Sequence, residues 1–531
     1  MTTLCENPLE ARRQIIQEEL DARRSPRDRN RLGQFSTPNA LAVDIARYVK
    51  LIAGHSLGTI HFADPSIGTG SFYSAALRVF GPRRIKRAIG VELDPEFYEA
   101  ARNLWGATGL EVIRGDFTRV ISNTSPEVSP NLILANPPYV RHHHLASSYK
   151  NRLQALVYRM SGVLINGLAG LYVYFVLLAT AWMEDGGYAA WLVPSEFMDV
   201  NYGTALKRFL TDRVTLIRAH RFDPETVQFG DALVSSVVLV FRKTLPPCGH
   251  TVEFTFGGTL SAPHATDCLS LDLLQQSRKW TVYPKHPKND RCTSANDYGP
   301  VLGDFFRIQR GIATGNNKFF VLDRKEAQRR KFPDRYLRPI LPSPRYLKTS
   351  VIDTDDNGYP LIDPQSCLID CDLPEAILKD RHPSLWEYLR TAEDLGIKNG
   401  YLIGKRTPWY KQERRDPAPF LCTYMGRGSN DKQPFRFILN RSRAIGTNLY
   451  LMLYPQNGLA AILQQHANLA GDVFTLLGQV EGRELRGEGR VYGGGLHKIE
   501  PNELARVSAE SLVRRWPGLV SAVRRQGNLF S

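Results

Sequence analysis

The sequence predicts a doubly wound α/β domain followed by a second domain of mixed structure. Three observations carry that expectation. Between Thr59 and Phe241, short apolar runs alternate with segments of helical spacing. Several apolar runs end in a carboxylate, a glycine loop or a proline, as strand ends facing a ligand do. Beyond Val301 the alternation stops and clusters of Lys and Arg take its place.

The 531 residues suit two or three domains, with material for a large core. Against 53 Asp and Glu stand 68 Lys and Arg, a formal charge of +15 that favours a polyanionic partner, nucleic acid first. Seven scattered cysteines make neither a disulfide framework nor a paired zinc motif, and the expected compartment is the reducing cytoplasm. No metal is expected. The uncharged stretch from Met160 to Met183 is long enough to suggest a membrane span. Its glycines, Ser161 and Asn166 point instead to a loop and a buried helix, so no membrane partner is expected.

Residues 1–30 read as a helical extension, apolar at Ile15, Ile16 and Leu20. The loop Gly33-Gln34-Phe35-Ser36-Thr37-Pro38 precedes a helix from Pro38 to Val49, which Thr37 could simply cap. Ile60–Ala63 is a strand, and the loop from Asp64 to Phe72, with Gly68 and Gly70, opens a helix. The next strand, Ala88–Asp94, brings in Glu92, 22 positions beyond Gly70 and near the offset of a ribose-binding acid. Asp64 beside the glycine loop would repel a phosphate and suits a cationic or amine-bearing ligand. S-adenosylmethionine, a sulfonium that also carries an ammonium, fits that loop better than a dinucleotide.

Val112–Phe117 ends a third strand at Asp116, which can accept from an adenine amine with Phe117 against the ring, or merely cap a helix. A fourth strand, Leu132–Ala135, stops at Asn136-Pro137-Pro138-Tyr139. Proline gives no ladder donor, so neighbouring carbonyls are left free. The Asn136 amide oxygen and the Pro137 carbonyl can together accept both hydrogens of one exocyclic amine, with Tyr139 offering a flat face to its base. Helices over Leu171–Met183 and Asn201–Leu210 and strands over Tyr188–Val193 and Ser235–Phe241 complete the pattern. Residues 31–243 are thus the first domain, 244–300 a Pro- and polar-rich linker, and 301–531 the second domain.

The order of these stretches resembles the adenine-N6 DNA methyltransferases of the gamma class, found in type II restriction–modification systems. It matches at Gln34–Pro38, Asp64–Phe72, Gly90–Pro95, Gly115–Phe117 and Asn136–Tyr139, and spans roughly residues 30–243. The resemblance implies a class I, Rossmann-like methyltransferase fold, S-adenosylmethionine as cofactor, double-stranded DNA as substrate and extrusion of the target base. It gives Thr37, Asp64, Gly68, Gly70, Glu92, Asp116, Phe117 and Phe175 to the cofactor. Asn136, Pro137 and Tyr139 go to catalysis, with Phe229 as the second aromatic face on the extruded base. Gly230 follows Phe229 where the family often has proline.

The resemblance makes residues 301–531 a target-recognition domain, opened by Arg307–Lys318. Candidate DNA contacts are Arg310, Thr314, Asn316, Lys318, Lys405, Arg406, Trp409 and Tyr410, basic and polar groups with aromatic ones between. A cognate restriction endonuclease would be a partner in function only, and the protein is expected to act as a monomer. Cytosine-N4 methylation suits the same acceptors, and the tetrapeptide also serves enzymes that methylate amines of RNA or protein. A non-catalytic DNA-binding subunit would share the basic charge, but an intact glycine loop and tetrapeptide argue against it.

Overall fold

The computed structural model describes residues 8–25, 28–29, 32–121, 129–223, 235–284, 299–427, 434–492 and 496–519. The chain forms two compact units, the first running to residue 291 and the second from 292.

The first unit is built on a nine-stranded sheet in the order β3-β2-β1-β4-β5-β7-β6-β8-β9. Its strands are β1 Ile60–Asp64, β2 Ile85–Glu92, β3 Leu110–Arg114, β4 Leu132–Ala135, β5 Tyr188–Pro194, β6 Thr215–Arg221, β7 Ser236–Arg242, β8 Thr251–Gly258 and β9 Pro263–Ser270. Strands β1 to β5 pair in parallel, and β7 runs antiparallel between β5 and β6. The first seven strands thus have the doubly wound topology of class I methyltransferases, with the sheet order reversing at β1 and β4.

Side chains alternate between the two faces, as the twofold period of a strand requires. Phe62, Leu132, Leu134, Ala190, Leu192, Val238 and Val240 join one core with helices α2 (Asn39–Ala53) and α3 (Ser71–Phe80). Ala63, Ile133, Ala135, Trp191, Val193, Val237, Leu239 and Phe241 join the other. That second face is covered by α5 (Ser147–Ser161), α6 (Leu171–Trp182) and α7 (Thr204–Asp212), while α4 (Pro95–Trp105) follows β2. The N-terminal α1 spans Pro8–Ala22.

The uncharged stretch after Met160 resolves into the end of α5, a loop and the 12-residue α6, whose residues Leu171–Thr180 are buried in protein. No helix among the described residues is long and apolar enough to cross a membrane.

Within the stretch 244–300, expected as a linker, β8 and β9 instead extend the sheet. In β8, Val252 and Phe254 are inward apolar positions of an alternating strand. Edge strand β9 buries only Leu269, so it carries no apolar run and its composition resembles a loop. The helix expected from Asn201 begins its α-helical part at Thr204, after a turn of 3₁₀ helix.

In the second unit, a five-stranded sheet has two cores. Leu421, Ile438, Tyr450 and Met452 face one, and Phe420, Cys422, Phe437, Leu439, Leu451 and Leu453 the other. Two three-stranded sheets and short helices complete it. The closing helical segment expected from Lys498 contains two short helices, Pro501–Leu504 and Glu510–Arg515, within its described part.

Candidate active site

The carboxyl ends of β1, β2 and β4 bring together three of the predicted motifs. Asn136 follows the last residue of β4, where Pro137 and Pro138 prevent the strand from continuing. Its Nδ2 donates to the Phe35 carbonyl at 2.8 Å and to Thr37 Oγ1 at 3.1 Å. A carbonyl can only accept, so the Phe35 bond fixes which end of the amide is the nitrogen. Asn136 Oδ1 is then the opposite end: buried, and without a hydrogen-bond partner among the described residues. A buried acceptor left unpaired carries a desolvation cost of about 1–3 kcal/mol, which a donor arriving on a ligand would relieve.

Thr37 is not the cap of α2, a position held by Pro38. It is buried, and its carbonyl accepts from Ser71 Oγ at 3.0 Å, tying the N-terminal loop to the start of α3. The tetrapeptide is braced from the other side too. Ser66 Oγ donates to the Asn136 backbone carbonyl at 3.0 Å, and the Ser66 N–H donates to Asp64 Oδ1 at 3.0 Å. Tyr139 N–H donates to the Gly33 carbonyl at 3.0 Å, and the Tyr139 hydroxyl to the Leu192 carbonyl at 3.1 Å. The Tyr139 ring lies 5.4 Å from that of Phe35. Gly33 has φ +66°, and a Cβ there would fall 2.4 Å from Tyr139 N, so the position demands glycine on two counts.

The glycine loop passes beside these residues. Gly70 has φ +92°, and a Cβ would fall 2.4 Å from Trp105 Nε1. Glu92 joins the loop to the end of β2, Oε2 accepting from Gly68 N–H at 2.9 Å and Oε1 from Asp94 N–H at 2.8 Å. Burial pushes the Asp64 carboxyl up to about 8, opposed by its bond from Ser66 and reinforced by the charge of Glu92. Burial likewise raises Glu92, against its backbone N–H bonds. No cationic side chain forms an ion pair with either acid among the described residues. A buried carboxyl and a half-buried one, both lacking a cation, suit a ligand that brings positive charge, and Gly68, open around its Cβ position, leaves room beside them.

Asp116 caps the helical turn Phe117–Val120, accepting from Thr118 N–H at 2.9 Å and Thr118 Oγ1 at 2.7 Å on Oδ1. Its Oδ2 accepts from Tyr149 OH at 3.1 Å, with Arg152 Nη2 at 3.6 Å. Phe117 and Phe175 are both buried, their rings 5.2 Å apart. Phe229 lies outside the described residues. Ser66, Phe35, Tyr149 and Arg152 were not singled out from sequence; Ser66 at least sits inside the glycine motif, whereas nothing local marks Tyr149 or Arg152. Among the described residues no three His, Cys, Asp or Glu side chains cluster as a metal site.

In the second unit the expected DNA contacts separate into two groups. Arg310, Lys318 and Lys405 are exposed. Trp409 and Tyr410 are instead core residues, the Tyr410 hydroxyl donating to the Leu373 carbonyl and Trp409 packing against Phe319 and Phe320. Thr314 is also buried, donating to Asn317 Oδ1 at 2.6 Å. Asn316 caps the turn that follows it, and Arg406 holds the carbonyls of Ala313 and Thr314. These five positions shape the segment rather than present a reading surface. Aromatic residues between basic ones look alike in sequence whether they face a base or a core.

The fold and these strand-end residues define a class I methyltransferase that uses S-adenosylmethionine. Two family models match: the Eco57I restriction-modification methylase over residues 129–228, and the C-terminal domain of type II methyltransferase M.Eco57I over residues 278–524. The chain is 29% identical over 460 residues to type II methyltransferase M.XamI of Xanthomonas campestris pv. amaranthicola, covering 85% of this chain and 80% of that protein. It is 24% identical over 499 residues to M.AccI of Acinetobacter calcoaceticus, covering 90% and 85%. Among solved structures, the type IIL restriction-modification enzyme MmeI aligns with a TM-score of 0.50 at 12% identity, over 78% of this chain and 59% of MmeI, a likeness of fold. The chain is thus similar to type II restriction–modification methyltransferases along most of its length.

Proposed function

We propose that the protein methylates the N6 amine of an adenine rotated out of duplex DNA at a specific site, protecting that site from a cognate endonuclease. The observation that carries the reading is the Asn136 amide, held by Phe35 and Thr37 so that its oxygen alone remains to accept. The relatives M.XamI and M.AccI, named as type II methyltransferases, support DNA as the substrate.

An adenine amine is a poor nucleophile because its lone pair is delocalised into the ring. Accepting one hydrogen at Asn136 Oδ1 and the other at the Pro137 carbonyl draws the nitrogen toward a tetrahedral shape and localises that pair. Both acceptors bind more tightly as the nitrogen gains positive charge, so they stabilise the transition state more than the ground state. Bound S-adenosylmethionine would supply the methyl group on a sulfonium that leaves as a neutral thioether, and the methylated nitrogen then gives up one proton to solvent. Asp64 and Glu92 would hold its positive charge and ribose hydroxyls, and Phe117, Phe175 and Asp116 would hold its adenine.

Tyr139 offers its ring to the extruded base, its plane fixed by the bond to Leu192. The resemblance gives the opposite face to Phe229. Stacking returns about 1–3 kcal/mol per aromatic face, comparable with the few kcal/mol of unstacking and unpairing. The second unit reads the site, with Arg310, Lys318 and Lys405 on the phosphate backbone; one copy of the chain suffices.

The test is transfer of labelled methyl to a panel of duplexes, followed by nucleoside analysis. Label in N6-methyladenine is the expected result. Label in N4-methylcytosine would overturn the base assignment, and no label in any base would overturn the whole reading.

A further inference from the structure

Helix α1 precedes every motif of the methyltransferase domain, yet three of its polar side chains are buried: Glu10, Arg13 and Gln17. Spacings of three and four residues put them on one face of the helix. Arg13 reaches Glu10 with two nitrogens, at 2.9 and 2.8 Å. Its third, Nη1, donates to Thr69 Oγ1 at 3.0 Å, and that hydroxyl passes its own hydrogen to Gln17 Oε1 at 2.7 Å. Thr69 lies between Gly68 and Gly70, and its carbonyl accepts from Trp105 Nε1 at 2.8 Å. The centre of the glycine loop is therefore held from both ends, through its hydroxyl by α1 and through its carbonyl by α4. Further along, Arg24 pairs with Asp94, just beyond the end of β2, and donates to Gln34 Oε1 at 2.6 Å.

A buried guanidinium is costly unless its donors are met, and an apolar contact would attach a helix to the domain with less desolvation. What a polar network adds is one defined register. Gly68 and Gly70 both have positive φ, so this stretch of backbone has more conformations open to it than most and gains most from an external hold. We propose that Arg13 is a positioning residue for the cofactor, setting the conformation of the Gly68–Gly70 loop through Thr69, with α1 as a clasp rather than an appendage. The inference rests on the assignment of that loop to S-adenosylmethionine. It places the effect on cofactor affinity and not on the chemistry of transfer.

The experiment uses the full chain and titrates S-adenosylhomocysteine by calorimetry into the parent protein, Arg13→Met, Thr69→Val and Thr69→Ser. Steady-state kinetics accompany it, and circular dichroism and melting confirm folding. Arg13→Met and Thr69→Val should each weaken binding about tenfold and raise the cofactor KM by the same factor, with kcat within about twofold. Thr69→Ser keeps the hydroxyl and should bind as the parent does. Should Arg13→Met fail to fold, the two variants at Thr69 decide the matter, because Val keeps the shape of Thr without its hydroxyl and Ser keeps the hydroxyl without the methyl. Equal affinity across the folded variants overturns the clasp. Absence of binding by the parent protein overturns the cofactor assignment of the loop, and the clasp falls with it.

Discussion

Replacing Asn136 by Ala removes the side-chain acceptor on which the proposed chemistry depends. The amide also fills the Phe35 carbonyl and Thr37 Oγ1, at 2.8 and 3.1 Å, so the change releases two acceptors within the protein. A net hydrogen bond contributes about 1 kcal/mol, and water entering the vacated space offsets part of that, so the loss of stability should stay near 1–2 kcal/mol. The kinetic effect should be larger. Removing one preorganised partner of a developing charge costs roughly 10²–10³ in rate, or about 2.7–4 kcal/mol. Asn136→Asp makes a sharper control. It keeps an oxygen where Oδ1 stands but turns its other oxygen toward the Phe35 carbonyl, which cannot become a donor. Single-turnover transfer of labelled methyl, with protein in excess over duplex, isolates the step from product release. Asn136→Ala should fall by two to three orders of magnitude while duplex and S-adenosylhomocysteine affinities hold within about threefold. A single-turnover rate within tenfold of the parent would refute the role given to this amide.

Gly33→Ala should impair both folding and transfer, since its Cβ would meet Tyr139 N at 2.4 Å in a backbone conformation with φ +66°. Strain of about 1–3 kcal/mol in urea melts is expected, together with a lower kcat. Asp64, held up at about 8, should make stability fall as pH rises from about 4 to 8, because the folded chain keeps a proton that the unfolded chain releases over that window. The steepest slope from this one group is about 1.4 kcal/mol per pH unit, and Asp64→Asn should flatten the dependence of urea midpoints on pH. Trp409→Ala should lower stability by about 3–5 kcal/mol, as a core aromatic does. Lys318→Ala and Lys405→Ala should leave melting unchanged and reduce the salt dependence of duplex binding, each by about one ion.

The methyltransferase sheet was legible because its apolar runs end in residues that stop a strand or turn the backbone. Two prolines after an apolar run stop a strand wherever it lies, and glycines between an acid and a helix mark a close backbone turn. Strand β6 escaped because Arg218 and Arg221 break its apolar run. In the fold Arg218 pairs with Glu253 of β8, and the Arg221 Nη2 donates to the Tyr283 carbonyl at 2.9 Å, partners remote in sequence. Charges met across a sheet look in sequence like charges met by water. The same ambiguity hid Arg13 and Gln17, whose spacing is equally that of a solvated helix face. In the second unit, strands as short as Val351–Ile352 and Val321–Asp323 leave too few residues for a period to register.

Phe35 links the two halves of the proposed chemistry through separate parts of one residue. Its backbone carbonyl orients the Asn136 amide, while its ring stands 5.4 Å from Tyr139, beside the face offered to an extruded base. A side chain can change rotamer without shifting its own carbonyl. The amide's orientation can therefore survive the opening of the aromatic face. Tyr139 is likewise held at both ends, by Gly33 at its N–H and Leu192 at its hydroxyl, so the stacking plane does not travel with Phe35. On this arrangement, entry of the base and readiness of the acceptor are separable events. The acceptor is set before the base arrives, which is the condition under which its stabilisation acts on the transition state without reorganisation.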